Sequence, residues 1–179
     1  MITHQLVPEA PNDDIRHLYE TAFPAEEQIP WDELMLLVKS MSLDFTAYFD
    51  EDEMIGFTIV YPRKSFNGFW YFAVRPELRG NGRGQKILSY LIDKYKGQTS
   101  ILDMESPDQE CDNKEQRVRR HDFYLRNGFR DTGVVRTYDT VAMTIMIIGP
   151  GTFTMADYDQ ILKELDRKST RLNSSHGYR

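Results

Sequence analysis

Apolar positions along this chain switch between two rhythms, and the switches mark its elements. Ile15, Leu18 and Tyr19 stand three and four residues apart behind Asp13 and Asp14, which predicts a helix running toward Phe23. Pro24 breaks it, and Pro30 with Trp31 opens a second helix through Leu34, Leu37 and Val38. Residues 3–8 read as a first strand. Asp44–Asp50 and Met54–Tyr61 read as a hairpin turning at Asp50–Glu53, and Asn67-Gly68 predicts a second turn before an apolar strand over Phe69–Val74. Ile87, Leu88, Leu91, Ile92 and Tyr95 restore the helical spacing. A short strand, Ile101–Glu105, follows. Residues 114–127 form a charged helix closed by Asn127-Gly128. Two strands over 129–139 and 140–148 and a last helix over 154–166 complete the prediction.

Between the Phe69–Val74 strand and the next helix lies Arg75-Pro-Glu-Leu-Arg-Gly-Asn-Gly-Arg-Gly-Gln85. The first N–H groups of a helix have no partner within it and lie at the positive end of its dipole. Glycines at 80, 82 and 84 remove the side chains that would hold a phosphate away from those amides. The order strand, glycine-rich turn, helix therefore predicts a phosphate-bearing ligand. A Walker A loop is excluded because Gly84 precedes Gln85 and Lys86 rather than Lys and Ser or Thr. A dinucleotide fingerprint is excluded because position 85 is Gln.

Arg79 to Gly84 instead fits Arg-x-x-Gly-x-Gly with Val-x-Pro upstream, which resembles the acetyl-CoA loop of the GCN5-related N-acetyltransferases, the GNAT superfamily. The element order resembles the GNAT fold over roughly residues 1–150. The implied architecture is α/β: a mixed, mostly antiparallel central sheet flanked by helices, with two splayed strands forming the acetyl-CoA cleft. Gln116 to Phe129 further resembles a helix found in bacterial members of unassigned substrate.

The resemblance implies roles for particular residues. Phe72, Ala73 and Val74 would align the pantetheine amides, and a backbone N–H near Val74 would face the oxyanion. The amides of Gly80, Gly82, Arg83, Gly84 and Gln85 would hold the pyrophosphate, with Arg79 shaping the turn. Tyr124 would sit near the CoA sulfur and protonate the departing thiolate. Where many members carry a cofactor-contacting asparagine, this chain has Arg117, so either Asn113 serves from a turn upstream or Arg117 meets a phosphate. Arg119 and Arg120 are expected on the solvated surface, and His121-Asp122 is expected to be idle because adjacent helical residues face apart.

An attacking amine must be neutral, and an alkyl ammonium has a pKa near about 10, so a base is needed. Glu105, ending its strand beside the splay, is the first candidate. Glu26 and Glu27, in the loop expected to border the acceptor pocket, are the second candidates; the alternatives are that they bind a cationic acceptor or form a solvated charge pair.

Composition limits the alternatives. With 179 residues, 40% hydrophobic and 28% charged, the chain has one domain's worth of core. No apolar run approaches the ~18 residues of a membrane span, and no signal peptide is evident, so a cytoplasmic protein is expected. Net charge −6 argues against nucleic acid, and the lone Cys111 against disulfides or zinc. Residues 1–166 are read as one acetyltransferase domain. The basic, Ser/Asn-rich segment 167–179 is expected to be a non-native or disordered tail that packs on nothing. The function expected is transfer of acetyl from acetyl-CoA to a primary amine, on a small molecule, peptide or protein, by direct attack in a ternary complex. A homodimer is compatible with the sequence. The rival readings are a non-catalytic acyl-CoA sensor and a transferase of larger acyl groups.

Overall fold

The computed structural model describes residues 2–7 and 13–172, with the side chains of Leu6, Glu26 and 167–172 left aside. Seven strands form one sheet in the order β1-β2-β3-β4-β5-β7-β6. They are β1 (Ile2–Leu6), β2 (Asp44–Asp50), β3 (Glu53–Tyr61), β4 (Asn67–Val74), β5 (Ser100–Glu105), β6 (Arg130–Tyr138) and β7 (Val141–Ile148). Only β4 and β5 run parallel. The helices are α1 (Asp13–Ala22), α2 (Trp31–Ser40), α3 (Arg83–Lys94), α4 (Lys114–Arg126) and α5 (Met155–Leu172), with single 3-10 turns at Ala25–Glu27 and Pro76–Leu78. The expected α/β sheet, mixed and mostly antiparallel, is the observed one. No described helix is long and apolar enough to cross a membrane.

Alternation along β5 divides the core. Leu102 and Met104 pack with Leu88 of α3 and Tyr124 of α4. Ile101 points to the other face, among Val134, Phe153 and Tyr158 of β6 and the α5 region. That second face also carries the largest cluster, in which Tyr19, Leu34 and Leu37 of α1 and α2 cover Phe45, Phe57, Tyr71 and Ala73. Gly56 is required where β3 meets β4, because a Cβ there would stand 2.3 Å from the Ala73 carbonyl oxygen.

Two expectations are corrected. Asn67-Gly68 is not a turn: Asn67 is 2% exposed, its N–H donates to Thr99 at 2.8 Å and its amide donates to Gln98 at 2.8 Å. These bonds open β4, and the turn falls at residues 62–66. The last helix does not stop at 166 but runs to Leu172. Residues 173–179, part of the expected tail, lie outside the described residues.

Candidate active site

The feature that organises the site is a parting of two strands. β4 and β5 pair only at Asn67–Ser100 and Gly68–Ile101, then separate over the rest of their length. Trp70 is the bulged residue of β4, since Ile59 pairs with Tyr71 and Val60 with Phe69. Beyond it, Arg75 N–H donates to Ile55 of β3 at 2.9 Å. By the alternation of an antiparallel ladder, Ala73 is also hydrogen-bonded toward β3, and the main-chain groups of Phe72 and Val74 turn to the β5 side. Of the three residues expected to line the cofactor, Phe72 and Val74 present backbone to the opening. Ala73 does not; its side chain is buried in the α1–α2 cluster.

At the far end of β4 the glycine loop turns into α3. Arg79 donates from Nε to the Val74 carbonyl at 3.2 Å, tying the turn to the strand end. Gly80 and Gly82 have φ of 86° and 74°, which favours glycine, and nothing lies within 4 Å of either Cβ position. No side chain caps α3, and its first turn holds no acidic residue. Lys86 N–H is the first to bond within the helix, to the Gly82 carbonyl at 3.1 Å. The amides of Arg83, Gly84 and Gln85 precede that bond, which leaves a positive helix end bordered by Arg79, Arg83 and Lys86. Arg83 pairs with Asp50 at 3.3 Å, yet its Nε is buried without a hydrogen-bond partner. An orphaned buried donor beside an uncapped helix end suits an anionic group such as a pyrophosphate. The Gln85 side chain is engaged elsewhere. It pairs with the Asn127 amide, which donates back to it at 3.0 Å, and so locks α3 to the end of α4.

Tyr124 lies on α4 against Leu88, Met104, Phe129 and Met146. No hydrogen bond of its hydroxyl is made among the described residues. Burial pushes the phenol up to about 12, against a lowering from Arg120. Gly128, at φ 91°, ends α4 in the left-handed turn expected of Asn127-Gly128.

Glu105, the first candidate for the base, ends β5 facing two arginines of α4. Its Oε2 meets Arg117 Nη2 at 2.7 Å and its Oε1 meets Arg120 Nη1 at 3.7 Å. Arg117 and Arg120 stand one turn apart on α4 and so share a face. Arg120 lies on the solvated surface as expected and reaches Glu105 from there. Arg117 also donates to Asn113 Oδ1 at 3.0 Å, Gln109 Oε1 at 3.0 Å and the Ser106 carbonyl at 3.4 Å. All three guanidinium nitrogens are thus turned inward, toward Glu105 and the loop before α4. Arg117, offered as a phosphate contact, spends its nitrogens on these partners, and Asn113, offered as the cofactor contact, accepts from it through Oδ1. As expected, His121 does not pair with the adjacent Asp122; it bonds Asp131 of β6 at 2.9 Å.

The 3-10 turn bearing Glu27 is fastened to β4 by Tyr71, whose hydroxyl donates to the Glu27 carbonyl at 2.8 Å. Glu27 is exposed there; the side chain of Glu26 lies outside the described set. The reading from sequence missed Asp103, which accepts from Tyr158 of α5 at 3.1 Å. No group of acidic, His and Cys residues suited to a metal ion occurs among the described residues.

Residues 43–131 match the family model of the acetyltransferase (GNAT) domain. The chain carries a GNAT acetyltransferase domain. A protein assigned to the GNAT acetyltransferase family from Bacteroides thetaiotaomicron is 25% identical, at TM-score 0.71 over 91% of this chain and 95% of that one. Two other structures share the fold alone. A Bacillus subtilis acetyltransferase solved with CoA has 15% identity and TM-score 0.62 over 84% and 100% of the two chains. An aminoglycoside 6'-N-acetyltransferase solved with coenzyme A has 18% identity and TM-score 0.63 over 82% and 95%. A search of the curated proteins finds no match.

Proposed function

We propose that this GNAT domain transfers the acetyl group of acetyl-CoA to a primary amine by direct attack within a ternary complex. The observation that carries the reading is the parting of β4 from β5 beside the uncapped start of α3. Acetyl-CoA supplies a thioester whose carbonyl carbon the amine attacks. The amides from Gly80 to Gln85 bind the pyrophosphate, with Arg83 Nε as a charged donor. Phe72 and Val74 extend strand-like hydrogen bonds to the pantetheine amides, and a free N–H on that edge serves the carbonyl oxygen. Glu27 gives the acceptor side negative charge that favours a cationic amine. Acetylation removes that acceptor's charge and weakens its hold there.

Tyr124 keeps its proton throughout the physiological range because its pKa is pushed up to about 12. Handing that proton to a free thiolate of pKa about 8.5 costs about 5 kcal/mol. The hydroxyl therefore acts by hydrogen-bonding the sulfur as charge builds on it, and releases the proton only where the same burial raises the thiol. Tyr124→Phe is expected to lower turnover by about 10²-fold in a thiol-release assay with an accepted amine. Its acetyl-CoA affinity should stay within about twofold of wild type, since one hydrogen bond formed mainly during bond breaking adds little to ground-state binding. Equal turnover in the variant would remove Tyr124 from the reaction.

Glu105 is assigned to positioning. With Arg117 and Arg120 it braces the end of β5 against α4, which holds Tyr124 at the opening.

A further inference from the structure

On the face of the sheet opposite Tyr124, residues of five elements gather where β4 and β5 begin to part. Asp103 is two residues beyond Ile101, the last residue of β5 paired with β4, and points to the same side as Ile101. Trp70 holds the matching position on β4, two residues beyond Gly68, and packs with the α1–α2 cluster on that same side. From α5, Tyr158 donates its hydroxyl to Asp103 Oδ2 at 3.1 Å. From β6, the Tyr138 hydroxyl is hydrogen-bonded to that of Tyr158. From the 3-10 turn, Glu27 adds negative charge that acts on Asp103.

The nearest cation is already committed. Arg136 of β6 pairs with Asp159 at 2.5 Å and lies over the Tyr158 ring at 4.8 Å, so its pull on Asp103 is only through space. Asp103 Oδ1 makes no hydrogen bond among the described residues, and the residue keeps an open face to solvent. The surrounding protein still pushes the carboxyl up to about 6, first through lost hydration and then, weakly, through Glu27, against lowering by Tyr158 and Arg136.

We propose that Asp103, held by Tyr158 and Tyr138 at the root of the opening, receives the acceptor's primary ammonium and takes one of its protons. This deepens the amine-acetylation reading and rests on it. A thioester lying between β4 and β5 has Tyr124 on one face and Asp103 on the other, so leaving group and nucleophile are served from opposite sides. In the step, one N–H bond breaks, its electron pair stays on nitrogen, and the proton moves to Asp103 Oδ1. The acid then loses it to water through the open face. Compared with an ordinary carboxylate, one that titrates about two units higher is a stronger base and is still mostly ionised at neutral pH. As pH falls through that midpoint Asp103 gains a proton, and both the ion pair and the base are lost.

The test uses the full chain with aspartate-selective ¹³C-carboxyl labelling, saturated with CoA, and n-butylammonium chloride as the probe. The Asp103 resonance is assigned by its loss in Asp103→Asn. A titration midpoint near 6 is expected. Butylammonium should move it down by about half a unit or more, because a bound cation favours the carboxylate, whereas sodium chloride at equal ionic strength should not. Tyr158→Phe, which keeps the ring packing, should change both the midpoint and the response. A midpoint in the ordinary carboxylate range, or no response to butylammonium in CoA-saturated protein, overturns the role of Asp103 and leaves acetyl transfer standing. Failure to bind CoA at all takes down both.

Discussion

Gly84→Asp is expected to abolish useful acetyl-CoA binding, weakening it by about 10²-fold or more, while the fold keeps or slightly raises its melting temperature. The two effects separate because they have different causes. Gly84 is the second residue of α3. A Cβ there would meet Val74 Cγ2 at 3.7 Å and Phe72 Cζ at 3.9 Å, ordinary contacts that require no movement. A carboxylate in the first turn interacts favourably with the helix dipole, by about 0.3–1 kcal/mol, and α3 has no acidic residue there to compete with it. The same carboxylate would occupy the place of the phosphate oxygens and repel them. Calorimetric binding together with a thermal scan reads both effects. Undiminished binding would show that the start of α3 is not the phosphate site, and collapse of the fold would show that Gly84 is needed for packing.

The second large effect is on stability. Arg117→Met should cost about 3–5 kcal/mol, read as a lowered urea midpoint, because it leaves a partly buried carboxylate without its partner. Arg117 is 5% exposed. Its removal takes a donor from Glu105 Oε2, Asn113 Oδ1, Gln109 Oε1 and the Ser106 carbonyl together, although Asn113 Oδ1 keeps the Cys111 thiol at 3.2 Å. Gln109 Oε1 keeps one donor, Ala142 N–H at 2.9 Å, and Glu105 keeps the longer contact with Arg120, so the loss stays below that of a wholly isolated charge. Arg117→Lys should recover little, since a point charge cannot span the fork that reaches α4, β5 and the intervening loop at once. A cost under about 1 kcal/mol would mean that the network is ornamental and that Glu105 is free for other work.

The uncapped, glycine-rich start of α3 was legible in the sequence because it is local. A strand, three glycines in five residues and a helical face all lie between Phe69 and Tyr95, and backbone geometry follows from them directly. The sheet was also legible, through alternation and helical spacing, except where a side chain overrode a turn signal. Asn67 carries a common turn residue's identity but spends its amide and N–H on the segment 98–99, which only the fold brings near.

Long-range chemistry was not legible. The partner of Asp103 is 55 residues away on another element, and that of Glu105 is on a helix whose register decides which arginine reaches it. Arg117 and Arg120 could have been paired from their spacing of three. Asp103 could have been noticed because alternation on β5 sets it on the same face as Glu105. What no spacing could supply is the identity of the groups opposite, which decides which of the two carboxylates is braced and which is left with an open oxygen.

The most direct test of the account is calorimetric titration of the full chain with acetyl-CoA, CoA and ATP in separate runs. The parted strands and uncapped helix end predict binding of both CoA species at micromolar Kd, and no comparable heat from ATP, which lacks the pantetheine arm that the proposal seats along β4. If neither CoA species binds, or if ATP binds as well as they do, the opening between β4 and β5 is not an acetyl-CoA cleft and the proposed acetyl transfer fails with it.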